Sequence, residues 1–250
     1  YGNGHSETVL AEALAGRHDE VLIATKTNSL SASGIREACE KSLERLKTDR
    51  IDLYQIHWPS GTWGGDIIPI EETMGALLKL QSEGKIRALG VSNFSSQQIE
   101  DALKSGRIDS LQPPFSLLWR SYEDNGTFQT CIKNNIGIVS YSSIAQGLLT
   151  GKFNADNRPN ETDNRSHNVL FKTPHYERAL EAVKKLEPLA EKHDATLAQL
   201  ATAWVLAQPG ITSAIVGART PDQIKDIAGA ARLNLSDADL QEMDRIGRAV

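Results

Sequence analysis

Tyr1, Lys26 and His57 bring together a phenol, an ammonium and an imidazole, three groups that can move a proton between them. A phenol in water titrates near pH 10. A cation beside it stabilises the phenolate and makes the phenol a better proton donor to a developing alkoxide. An imidazole can hydrogen-bond the same oxygen and orient a carbonyl. Such a trio suits carbonyl reduction, and its lysine also suits Schiff-base chemistry. The spacing carries the argument. Lys26 closes the apolar run "VLIATK" and His57 closes "IDLYQIH". Ser92 and Asn93 follow "IRALGV", Gln112 ends "DSLQ", Tyr141 and Ser142 follow "IGIVS", and Gly217, Ala218 and Arg219 follow "ITSAIV". Alone, a lysine or histidine in such a place is ordinarily solvated or structural. Six strand ends with polar groups at one rim make a site. No thiol or Ser-His-Asp set stands at that rim. None of the six histidines falls in a metal-binding motif such as H-E-x-x-H, so no metal is expected.

The runs that carry these residues alternate with amphipathic segments. Strands are expected at 21–25, 51–58, 86–92, 109–113, 136–142 and 211–217. Helices are expected at about 33–48, 69–85, 95–106, within 123–135, and at 175–193, 196–207, 220–230 and 236–248. Another helix begins almost at once, with Ser6 as its cap and Glu7 in its first turn. A polar loop runs from about 151 to 173. Alternation of this kind predicts a parallel sheet with helices outside. A doubly wound nucleotide fold would carry G-x-G-x-x-G after a strand, and no such match exists. The expectation is therefore an α/β chain of the (β/α)8 barrel class, with residues 1–250 forming a single domain. Barrel function sits at the C-terminal strand ends. Six strands against eight, and a first residue just before a helix, predict that two β/α units are missing ahead of Tyr1. Residues 1–250 by themselves are then expected to be poorly soluble or inactive, with the apolar "VLIAT" edge unprotected.

Composition excludes other classes. A net charge of −5 and 24% charged residues argue against nucleic acid as a partner. No apolar run reaches the roughly 18 to 20 residues of a membrane span. Cys39 lies on the apolar face of its helix with Ile35, Leu43 and Leu46, as a buried thiol. Two such cysteines and no signal segment predict a reducing, cytoplasmic location. Oligomeric state is not legible.

The segments taken together resemble the aldo-keto reductase family. "YGNGHSE" is similar to the segment of its catalytic tyrosine, "LIATK" to its lysine strand and "DLYQIHWP" to its histidine strand. "ALGVSNFS", "YSSIAQGLLTGKF" and "AIVGARTPDQI" are similar to its cofactor segments, and "SLLWR" with "GLLTG" and "GARTP" resembles the bacterial and plant-type branches more than the mammalian aldose reductase branch. The resemblance implies a barrel that binds NADPH extended across the rim. It implies Tyr1 as general acid, Lys26 as the cation that lowers its pKa, and His57 as the partner that orients the carbonyl. Ser92, Asn93 and Gln112 would hold the nicotinamide carboxamide, and Tyr141 would stack on the ring. The loop with Ser142, Ser143, Ala145, Gly147 and Leu148 would cover the pyrophosphate, partly through backbone N–H groups. Gly217, Ala218, Arg219, Thr220, Gln223 and Asp226 would hold the adenosine end, Arg219 taking the 2′-phosphate. The family's fourth catalytic residue, an aspartate a few positions before the tyrosine, has no counterpart here, and Ile227 stands where many relatives carry asparagine.

Trp58, Trp63 and Trp119 are candidate walls for a small carbonyl substrate. The loop at 151–173 is either a lid or a plain connection. Three function classes follow: an NADPH-dependent carbonyl reductase, a cofactor-binding regulatory subunit with little turnover, and a barrel lyase using Lys26 as a Schiff base.

Overall fold

A computed structural model of the chain describes every residue except Trp63, Gly65 and Asp66. In chain order the elements are α1 (His5–Leu14), β1 (Ala24–Thr27), α2 (Ala32–Leu46), β2 (Ile51–Ile56), α3 (Ile70–Ser82), β3 (Ile86–Ser92), α4 (Ser96–Leu103) and β4 (Ser110–Gln112). Then come α5 (Ser121–Asp124), α6 (Thr127–Lys133), β5 (Gly137–Ser140), α7 (His175–Lys192), α8 (Leu197–Leu206), β6 (Ile211–Ala214), α9 (Pro221–Ala228) and α10 (Asp237–Gly247). Contacts divide the chain into two units, Tyr1–Gln112 with Thr130–Gly137, and Pro113–Gln129 with Ile138–Val250.

In the first unit, β1 to β4 are parallel and pair in sequence order, with Lys26 opposite Gln55 and Ser92 opposite Gln112. Parallel pairing carries each chain back through a helix, so the strand ends that bear polar residues point the same way. The core draws on both strands and helices: Tyr54, Ile56 and Leu89 from the strands and Ile35, Cys39, Leu46 and Leu77 from the helices are all fully buried. Burial of one such side chain is worth roughly 1.5–3 kcal/mol. In the second unit β5 and β6 pair in parallel, and Trp204 of α8 packs on Phe115 at 5.6 Å between ring centroids.

Two local expectations change. The "VLIAT" run is not a uniformly buried strand. The ladder pairs of β1 begin at Ala24, Ile23, Thr25 and Thr27 are buried, and Leu22 is 83% exposed. That is the period-two alternation of a strand with one covered face, which five consecutive apolar or small residues had hidden. Ser6 does not cap α1. Gly4 holds the cap position at φ +93° with no side-chain cap bond, because a left-handed turn leads into the helix. The helix expected within 123–135 is present as α6, set apart from the short α5 by Gly126 (φ +82°), where Asn125 accepts from the backbone and hydroxyl of Thr127 at 3.0 and 2.7 Å.

Candidate active site

Gly2, Asn3 and Gly4 all have positive φ (57°, 52° and 93°). Glycine and asparagine adopt that region at least cost. The turn holds its shape through the Gly4 N–H, which donates to the Tyr1 carbonyl at 3.2 Å. Lys26, from the end of β1, donates from Nζ to the Tyr1 hydroxyl at 2.5 Å. His57 follows β2, and its ring centroid lies 5.4 Å from that of Tyr1. Lys26 and His57, expected at strand ends, and Tyr1, expected just before a helix, are therefore together in the first unit.

Their electrostatics differ from the simple expectation that the ammonium acidifies the phenol. Burial acts on both partners and opposes charge on each. It raises Tyr1, which is still 62% exposed, above the ordinary phenol value and lowers Lys26 to about 8. Burial, then the Lys26 charge, also lowers His57 below the ordinary imidazole value. At neutral pH the site thus holds a neutral phenol, a charged but readily titrated lysine and a neutral imidazole, which keeps one N–H to donate.

Beside this trio lies a string of amides and hydroxyls. Asn93, at φ +63°, donates to the His57 carbonyl and to Ser92 Oγ, each at 3.0 Å, and Ser92 Oγ donates to the Gln112 carbonyl at 2.7 Å. Gln112 donates from Nε2 to Gln55 Oε1 at 3.1 Å. Gln55, fully buried and absent from the sequence reading, is what aims the Gln112 amide. Trp58 stacks near His57, with centroids 6.4 Å apart at 26°. Trp63 lies outside the described residues.

The second unit holds a cleft of about 910 Å³. Ser142, Ser143 and Gly147 line one side, and Gly217, Ala218, Arg219, Gln223 and Asp226 line another. Four residues in succession or nearly so (Ser142, Ala145, Gln146 and Gly147) have positive φ, which curls the loop after β5. The Ala145 and Leu148 side chains are buried beneath the loop, so their contribution is backbone. The Ala145 N–H is already used inside the loop, donating to the Ser142 carbonyl at 2.7 Å. Thr220 does not line the cleft. It caps α9, accepting from the Gln223 N–H at 3.3 Å, while Gln223 Oε1 accepts from the Arg219 N–H at 2.8 Å. This pair of bonds fixes the backbone that carries Arg219. Tyr141 is pinned through its backbone to Pro113 and Phe115, and Trp119 donates to Ser121 Oγ at 3.1 Å.

Two cations in this cleft escaped the sequence reading. Lys152 and Arg165 line it with Arg219, and both stand over the Phe153 ring, at 4.8 and 5.3 Å. A Cβ on Gly147 would lie 2.8 Å from Lys152 Nζ, so glycine there leaves room for the lysine. Arg165 holds Asp163 in a forked pair that keeps this carboxyl at about 2. Burial, Arg165 and Arg219 lower Lys152. Lys152 stands four residues past Leu148, inside the "GLLTGKF" segment, so its place is legible in the sequence. Arg165 sits in a loop with no periodic signal. That loop is ordered by short turns at Asn164–His167 and Val169–Phe171, with Leu170 and Phe171 buried. The donor chemistry of the cleft fits phosphate groups, and the amide string of the first unit fits a carboxamide.

Among the described residues no helix is long and apolar enough to cross a membrane, and no cluster of three or more His, Cys, Asp or Glu could hold a metal. Comparison with known proteins matches residues 1–248 to the aldo/keto reductase family. The chain is 36% identical to the aldo-keto reductase YhdN of Bacillus subtilis, covering 98% of this chain and 76% of that protein. It is 33% identical to the NADH-specific methylglyoxal reductase of Escherichia coli, covering 100% and 82%. Among solved structures it matches the glycerol dehydrogenase AKR11B4 of Gluconobacter oxydans with a TM-score of 0.89 and 36% identity, over 100% of this chain and 79% of that one. An aldo/keto reductase of Klebsiella pneumoniae in complex with NADP and acetate matches with a TM-score of 0.77 and 29% identity, over 98% and 77%. The strand-end residues, their geometry and these matches converge: the chain belongs to the aldo/keto reductase family, NAD(P)-dependent oxidoreductases built on the (β/α)8 barrel.

Proposed function

We propose that this protein reduces a small aldehyde or ketone to its alcohol with NADPH, Tyr1 supplying the proton. The observation that carries the reading is the Lys26–Tyr1 hydrogen bond of 2.5 Å with the His57 ring beside it. The nicotinamide cofactor supplies a hydride to the carbonyl carbon when bound. Tyr1 protonates the carbonyl oxygen as negative charge grows there, and the Lys26 ammonium stabilises the phenolate left behind. The neutral His57 imidazole donates to the same oxygen and aims the carbonyl. Ser92, Asn93 and Gln112 would hold the carboxamide, and Tyr141 would stack on the ring. Lys152, Arg165 and Arg219 would hold phosphates, with Arg219 on the 2′-phosphate, which favours NADPH over NADH.

A lysine that titrates at about 8 also meets one need of imine chemistry, so the test includes a control for it. The assay follows NADPH and NADH oxidation with a panel of aldehydes and ketones and identifies the product by NMR. The reading expects alcohol formed one for one with cofactor oxidised, faster with NADPH. Turnover without nicotinamide, with borohydride trapping substrate on Lys26, would replace it with the lyase reading. NADPH binding without turnover would favour a regulatory role.

A further inference from the structure

Glu7 is a carboxylate that the proton-transfer scheme does not use. It stands six residues after Tyr1, on α1, and is only 7% exposed. Its Oε1 accepts from Thr25 Oγ1 at 2.7 Å and its Oε2 from Arg45 Nε at 2.6 Å. Thr25 immediately precedes Lys26 on β1. Successive side chains of a strand point to opposite faces, so Glu7 grips the covered face of β1 one residue from the lysine, which leaves by the other face. Arg45 comes from α2 and passes over the turn that carries Tyr1. A Cβ on Gly4 would lie 2.5 Å from Arg45 Nε, so glycine at residue 4 leaves the arginine its present path to Glu7. Arg45 also donates to Ser42 on its own helix at 3.4 Å. The Tyr1–Glu7 segment is thereby tied at one carboxylate to the lysine strand and to α2. A buried carboxylate with charged and neutral donors on both oxygens is a rigid link, since loss of either partner leaves a polar atom buried without a bond.

We infer that Glu7 is a positioning residue for the reaction: through Thr25 and Arg45 it holds the Tyr1 hydroxyl at the Lys26 ammonium. This inference rests on the catalytic reading of Tyr1. Nothing in it makes Glu7 touch substrate or cofactor. A displacement near 1 Å at reacting groups costs on the order of 100-fold in rate, so the link is large enough to measure.

The test is a double-mutant cycle on the purified protein. Single-turnover hydride transfer at saturating NADPH is measured for wild type, Glu7→Ala, Tyr1→Phe and the double variant, with the NADPH dissociation constant from tryptophan quenching. The expected result is that Glu7→Ala slows transfer by about 10- to 100-fold, leaves NADPH affinity within about twofold, and that Tyr1→Phe costs far less in the Glu7→Ala background than in wild type. Glu7→Gln keeps an acceptor for Thr25 and should fall between. Multiplying effects of the two substitutions, or an unchanged rate in Glu7→Ala, would overturn the inference. If Glu7→Ala does not fold, Glu7→Gln carries the cycle. If neither folds, Glu7 serves stability and the inference is lost. A Tyr1→Phe variant as fast as wild type would instead sink the catalytic reading itself.

Discussion

The ammonium of Lys26 should set an alkaline limit on reduction. Burial brings this lysine to about 8, while it raises Tyr1 above the ordinary phenol range. Across pH 7 to 9.5 the phenol therefore keeps its proton, and the group that changes is the lysine. A depressed ammonium is charged below its pKa and neutral above it. With a pKa of about 8, roughly nine-tenths of the molecules carry the charge at pH 7, half at pH 8 and about a tenth at pH 9. The rate of hydride transfer should fall about tenfold from pH 7 to pH 9. The assay is stopped-flow NADPH oxidation in a single turnover, which removes product release from the signal. Lys26→Arg keeps a charge over the whole window, since guanidinium does not titrate there. Its absolute rate should be lower, because a planar fork replaces a point donor at 2.5 Å from the phenol, but its profile should be flat. A flat wild-type profile, or a wild type and arginine variant that fall together, would refute the assignment of this limb to Lys26.

Other expectations follow from the same geometry. Arg219→Ala should weaken NADPH binding by about 10- to 100-fold, the worth of a charge-assisted phosphate contact, and NADH binding far less; equal losses for both cofactors would move Arg219 off the 2′-phosphate. Arg165→Ala should weaken both cofactors in fluorescence titration, and an unchanged affinity would leave Arg165 its bond to Asp163 and its place over the Phe153 ring. Cys39 and Cys131 are free, buried thiols, pushed up by burial to about 11 and about 12. They should resist a thiol reagent in the native protein and react after denaturation; fast native labelling would contradict their burial. Asp239 accepts from Lys192 at 2.7 Å and from Ser236 Oγ at 2.6 Å, bonds that hold its carboxyl well below the usual range. This stability is present above the unfolded value near 3.9 and is lost as pH falls below it. Asp239→Asn should therefore lower the midpoint in urea at pH 7 and narrow its gap from wild type in strong acid.

What was legible in the chain followed from period and place. A strand end is a position that an apolar run marks, so Lys26 and His57 could be found without any neighbour in view, and Tyr1 by its place just before a helix. The alternation of strand and helix gave the parallel order for the same reason. Hidden features depended on tertiary partners. Glu7 looks like an ordinary first-turn acid until Arg45, 38 residues away in sequence, bonds to it. Gln55 reads as one more residue of an apolar strand until Gln112 donates to it. The 151–173 loop carries a local signal of its own. Asn154, Asn160, Asp163 and Asn168 each accept from the backbone N–H two residues on, the turn chemistry of short side-chain acceptors. Those turns are what present Arg165 to the cleft. The offset of β1 had no such signal, because an exposed Leu22 and a buried Ile23 are equally apolar.

The most direct test of the account is the rate of NADPH-driven aldehyde reduction by Tyr1→Phe, measured beside its NADPH affinity. A phenyl ring keeps the size of the side chain and removes the hydroxyl that Lys26 contacts. Affinity close to wild type with transfer slowed by roughly 100- to 10,000-fold is the predicted outcome. Wild-type rate with intact binding would mean that the proton comes from another group, and the scheme built on the Tyr1–Lys26 bond would have to be abandoned.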